Sequence, residues 1–113
     1  MATSNPLISA PPYAVEQTLK RLGANLRTAR VRRGLTVYEV SKKIGTGVRA
    51  VADAEKGKPS TGVAVYAALL WAYDLLGQFD AVADPTHDTE GQALAKTRER
   101  SRARRDRAPD NDF

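Results

Sequence analysis

Glycine stands at positions 34, 45 and 57, and each one closes a segment whose apolar residues recur at spacings of three and four. No other feature narrows the fold so far. Over residues 14–33, Leu19, Leu22, Leu26 and Ala29 form one stripe of an amphipathic helix, and Gly34 follows as its C-terminal cap. Thr36 then supplies an N-cap oxygen with Glu39 three residues on, a capping box that opens a second helix. Val40 and Ile44 share the buried face of that helix. Gly45 sits where a tight turn needs left-handed backbone, which glycine adopts without steric cost. A third helix is expected over residues 47–56, with Val51 and Ala54 inward and Gly57 as its stop.

Past Lys58 and Pro59, Ser60 or Thr61 is positioned to cap a fourth helix, VAVYAALLWAYDLL. It is apolar almost all round, so it belongs at the centre of the core. Phe79 and Val82 carry an apolar face onward until Pro85 breaks it. No stretch alternates with a period of two for long enough to make a strand. The expected fold is all-α, a body of four to five short helices over residues 14–84. Residues 1–13 are expected as a flexible arm, set off by Pro11 and Pro12. Residues 85–113 form a basic tail, partly helical or disordered, because nothing after Leu94 offers a stripe to bury against the entropy of ordering.

Charge is distributed in blocks. Residues 16–58 hold eleven Lys/Arg against four acids, residues 59–95 hold five acids and no Lys or Arg, and residues 96–107 hold seven Lys/Arg against two acids, within an overall +5. A basic head, an acidic middle and a basic tail suggest a polyanion at one end and a different partner at the other. The absence of cysteine excludes a disulfide framework and thiolate metal sites, and fits a reducing cytoplasm. No apolar run approaches the ~20 residues of a membrane span, and MATSNPLISAPPYA lacks the basic start and long apolar stretch of a signal peptide. A cytoplasmic, nucleoid-associated bacterial protein is the expectation.

The segment LTVYEVSKKIGTGVRAVADAEKG has the length and punctuation of two short helices joined by a glycine turn, the shape that enters the major groove of DNA. With LGANLRTARVRRGLT before it and KPS after it, residues 22–75 resemble the Xre-type (lambda-repressor-like) helix-turn-helix family. The anchor positions are Leu26, Arg30, Gly34, Leu35, Thr36, Val40, Gly45, Val51, Glu55 and Gly57. The resemblance implies an internal ion pair between Arg30 and Glu55. It also implies DNA contacts at Thr36, Val37, Thr46, Gly47, Val48, Arg49 and Asp53. Among these, Arg49 is the strong guanine reader, Val48 can pack on a thymine methyl, and Asp53 can accept from cytosine. Val37 replaces the glutamine that many relatives carry, and that contact is lost. Arg32, Arg33, Lys42, Lys43, Lys56 and Lys58 are the candidates for phosphate. So few base readers per subunit imply a homodimer on an inverted repeat of double-stranded DNA.

The segment LLWAYDLLGQFDAVADPTHDTEGQALAKTRERSRARR looks like the C-terminal half of HipB-type antitoxins. This implies a type II toxin-antitoxin system in which the chain represses its own operon and binds a HipA-type kinase toxin. The acidic middle around Asp74, Asp80 and Asp84 would then meet the toxin, with Trp71 as an aromatic anchor, while the Arg-rich tail could join that contact, reach flanking DNA phosphates as an arm, or serve only as a solubilising end. Two alternatives stand beside it: a stand-alone regulator of the same fold, and a protein-interaction module that has lost DNA reading, suggested by Val37, Gly47 and Ala52. His87 is alone at any metal-ligand spacing, the GTG and GKPST stretches lack the phosphate-loop lysine pattern, and no catalytic set of side chains stands out. The chain is expected to be no enzyme and to need no cofactor or metal.

Overall fold

The computed structural model describes residues 5–107, and among them the chain is all-helical with no strand. The helices are α1 (Pro6–Ser9), α2 (Tyr13–Arg32), α3 (Val37–Ile44), α4 (Val48–Glu55), α5 (Val63–Ala72), α6 (Leu76–Asp80) and α7 (Thr89–Arg107), with a 3-10 turn at Pro85–His87. Contacts divide the chain into two compact units, Met1–Phe79 and Asp80–Phe113. None of the described helices is long and apolar enough to cross a membrane.

The first unit closes around Leu26 and Ala29 of α2, Val40 of α3, Val51 and Ala54 of α4, and Tyr66, Leu69, Leu70 and Ala72 of α5, with Tyr73 beneath them. Leu22, Leu35, Val37, Ile44, Leu75, Leu76 and Phe79 pack around that centre. A buried leucine or valine contributes about 1.5–3 kcal/mol relative to exposure, so this set supplies the main cohesion of the helix-turn-helix. The segment N-terminal to it, expected as an arm, carries one exposed helical turn at Pro6–Ser9, capped by the Asn5 side chain. Residues 1–4 lie outside the described residues.

Four helices of this unit end alike. After α2, α3 and α4 the chain turns through Gly34, Gly45 and Gly57, with φ of 65°, 80° and 69°. In each case the amides just beyond the helix reach back to its last free carbonyls, as in Leu35 to Arg30 (3.2 Å), Thr46 to Ser41 (2.9 Å) and Lys58 to Asp53 (3.1 Å). The fourth end corrects the sequence reading. The stretch VAVYAALLWAYDLL is not one helix, because α5 stops at Ala72 and Asp74 takes the left-handed position with φ of 59°. Leu75 N–H then donates to the Leu70 carbonyl at 2.8 Å. Aspartate tolerates this conformation better than most side chains, and the turn lets Leu75 fold back onto the core. The start of α5 also differs: its N-cap is Gly62, with no side-chain cap from Ser60 or Thr61.

Two contacts fix α2 against its neighbours. A Cβ on Gly23 would lie 2.6 Å from the carbonyl oxygens of Ala54 and Glu55, so only a bare backbone lets α2 approach the end of α4 this closely. At the other end of α2, the Arg33 guanidinium donates to the Ala29 carbonyl and to the Tyr73 carbonyl, each at 2.9 Å. It also lies 5.6 Å from the centroid of the Tyr73 ring. Tyr73 is fully buried, and burial pushes its phenol up to about 12.

The second unit is simpler. The Asp84 carboxylate accepts from the Thr86 amide (2.9 Å) and hydroxyl (2.8 Å) and so caps the 3-10 turn. The Gln92 side chain donates back to the carbonyls of Pro85 and Thr86. The basic tail, left open between helix and disorder by its sequence, is helical through Arg107, and α7 buries none of its residues. Residues 108–113 lie outside the described residues.

Candidate nucleic-acid interface

The candidate site is the pair α3 and α4 with the turn Gly45–Thr46–Gly47 between them. The two helices enter it differently. At α3 the Thr36 Oγ1 accepts from the Glu39 amide at 3.1 Å, and Glu39 Oε1 accepts from the Thr36 amide at 2.9 Å. The Thr36 backbone holds the Glu39 carboxyl below its ordinary range, because those bonds favour the charged form. This capping box takes up the Thr36 and Glu39 amides and leaves those of Val37 and Tyr38 without a protein acceptor among the described residues. Thr36 keeps its hydroxyl proton to offer a phosphate, and Val37 is half-buried against the core. At the start of α3 it is the Val37 side chain, rather than the backbone, that is partly withdrawn from a ligand.

At α4 the N-cap is Gly47, exposed, with no side-chain bond and open space where a Cβ would stand. The first-turn amides of Val48, Arg49 and Ala50 accordingly have no protein acceptor among the described residues. Beside them Val48 is 49% exposed, and Arg49 is exposed with no hydrogen bond or ion pair among the described residues. A helix N-terminus with unspent amides and a positive dipole end attracts anions. Thr46 is half-buried at the end of the turn, its amide already given to Ser41.

The other candidate cations differ in what they have left to offer. Lys42 and Lys43 are exposed on the last turn of α3, their ammonium groups 5.5 Å from the Tyr38 ring and 5.9 Å from the Trp71 ring. Arg32 and Lys56 are exposed. Lys58 pairs with Asp53 at 3.2 Å, so the Asp53 carboxylate faces an ammonium before any cytosine. Arg33 gives two of its N–H groups to the carbonyls of Ala29 and Tyr73 and remains exposed, so it is held in place rather than free to swing toward a phosphate. That clasp left no signal in the sequence, since its acceptors are main-chain atoms brought close by folding.

Arg30 and Glu55 form a two-point ion pair, Nε to Oε2 at 2.6 Å and Nη2 to Oε1 at 3.0 Å, while Arg30 Nη1 donates to the Leu35 carbonyl at 2.8 Å. Both side chains are nearly enclosed, 12% and 8% exposed. The bond from Glu55 strengthens Arg30's hold on its proton more than burial weakens it. The pair ties α2 and the chain entering α3 to the end of α4, and so sets the tilt at which α4 presents Val48 and Arg49.

Of the residues assigned to a protein partner, Trp71 is 53% exposed on α5. Asp74 is exposed but serves as the left-handed stop of that helix. Asp80 is exposed, and the Asp84 carboxylate is occupied by Thr86. Asp74 belongs to the first unit and the other two to the second. Among the described residues no cluster of His, Cys, Asp or Glu could hold a metal ion. Compared with protein-family models, with curated proteins and with solved structures, the chain finds no match.

Proposed function

We propose that this chain is a sequence-selective DNA-binding regulator that docks the start of α4 in the major groove. One observation carries the reading: α4 opens on a bare glycine cap, with free amides for a phosphate and with Arg49 and Val48 projecting beside them. A helix entering the groove contacts base edges through its N-terminal residues. Arg49 reads guanine, Val48 packs on a thymine methyl, and Lys42, Lys43 and Lys56 add phosphate contacts. Two base readers specify little, so the protein acts as a homodimer on an inverted repeat. Val63, exposed on α5, offers an apolar side chain to a second copy. The finer role is that of an antitoxin that represses its own operon and binds a HipA-type kinase. Its support is the resemblance of the stretch from Leu69 to Arg105, together with Trp71 as an anchor.

The test is Arg49→Ala on the DNA upstream of the gene. The variant is expected to lose about 1–3 kcal/mol of preference for that DNA over a scrambled duplex, with weak nonspecific binding retained. Equal binding of both duplexes by wild type and variant would favour the protein-interaction alternative. Co-expression with the adjacent gene product, followed by isolation of a stable complex with a kinase-fold protein, tests the antitoxin role.

A further inference from the structure

The seven cations of α7 fall into two rows. Lys96, Arg100, Arg104 and Arg107, spaced by four, four and three, run along one side of the helix. Arg98, Arg102 and Arg105, spaced by four and three, run along another, about half a turn round at 3.6 residues per turn. Glu99 and Asp106, seven apart, share a third strip between the rows. The small residues Thr97 and Ser101 occupy the strip opposite the acids. Among the described residues none of the seven cations forms an ion pair, and no residue of α7 is buried.

Left to itself this helix is electrostatically frustrated. Like-charge neighbours at i,i+3 or i,i+4, among them Lys96 and Arg100, Arg100 and Arg104, and Arg98 and Arg102, outnumber the opposite-charge ones that Glu99 and Asp106 make with Lys96 and Arg102, so the balance is destabilising. No core face compensates. A single acidic surface would relieve one row and leave the other in water. A polyanion with two parallel rails relieves both.

We propose that α7 lies lengthwise in the major groove of duplex DNA, one cationic row toward each phosphate rail. An α-helix is about 10–12 Å across, and the groove of B-DNA is about 12 Å wide. Thr97 and Ser101 then face the base edges, where short side chains permit close approach. Glu99 and Asp106 face out of the groove, away from phosphate. The contact is predominantly to the backbone and adds affinity rather than sequence preference. It does not depend on the helix-turn-helix reading, because every residue involved belongs to the second unit.

The test uses the full chain and a short duplex of arbitrary sequence, followed by fluorescence anisotropy between ~50 and ~200 mM salt. Two triple variants are compared with wild type, K96Q/R100Q/R104Q and R98Q/R102Q/R105Q; glutamine preserves helix propensity. Each is expected to weaken binding and to flatten the slope of log affinity against log salt by about 2–3. Thermal melting of the helical body should stay unchanged, since α7 contributes nothing to its core. A loss confined to one row would overturn the two-rail placement. Unchanged DNA binding by both variants would overturn the proposal, and a selective loss of poly-glutamate binding would point to an acidic protein instead. If the Arg49→Ala effect is absent while both triple variants behave as expected, only the helix-turn-helix reading fails.

Discussion

Glu55 shows how one residue can govern a site without touching a ligand. Its carboxylate is the only acid that meets Arg30 among the described residues, and both lie nearly out of solvent. Glu55→Gln should cost about 3 kcal/mol in urea unfolding, because it leaves a guanidinium enclosed without its countercharge. Replacing both partners with leucine should cost less than the sum of the two single changes. An additive double variant would show that the pair is not energetically coupled. Glu39 makes the complementary case on the surface. Its carboxyl is held low by the Thr36 backbone, so the ion contributes stability above the ordinary glutamate range, and that contribution disappears as pH falls through the lowered value. Acid titration of unfolding should therefore show a loss in wild type that Glu39→Gln, which still accepts the bond but does not titrate, lacks.

Elements were legible in the sequence where local rules decide them. The capping box at Thr36 and Glu39 and the left-handed glycines at 34, 45 and 57 announce themselves, and the ends of α2, α3 and α4 follow. The break after α5 was not legible, because Asp74 is an ordinary helix residue by pattern. The returning bond from Leu75 to Leu70 and the Arg33 grip on the Tyr73 carbonyl hold its turn, and both form only in the folded chain. Gly23 was hidden for a related reason: within a helix stripe it reads as a tolerated defect, whereas it faces the α4 carbonyls. Gly23→Ala should raise intrinsic helix propensity by about 1 kcal/mol yet destabilise the protein by about 1–3 kcal/mol. A melting temperature above wild type would contradict this account of how α2 and α4 approach. In the candidate site the cations were visible in the sequence but their availability was not, since Arg33 and Lys58 are engaged by groups distant in sequence or spatially adjacent only after folding.

At the scale of the whole molecule, a helical body spends many of its polar side chains on its own construction, and the start of α4 places free first-turn amides beside the exposed Val48 and Arg49. Thr36, Glu39, Arg30, Arg33, Asp53 and Asp84 all have internal partners, while the amides of Val48, Arg49 and Ala50 have none among the described residues. The second unit adds a separate band of positive charge along α7. The most direct measurement is amide hydrogen exchange, residue by residue, with and without the duplex that lies upstream of the gene. The account predicts that Val48, Arg49 and Ala50 gain protection on binding, more than the Thr36 and Glu39 amides, which the capping box already bonds. Bound DNA that leaves those three amides exchanging as in the free protein would contradict it.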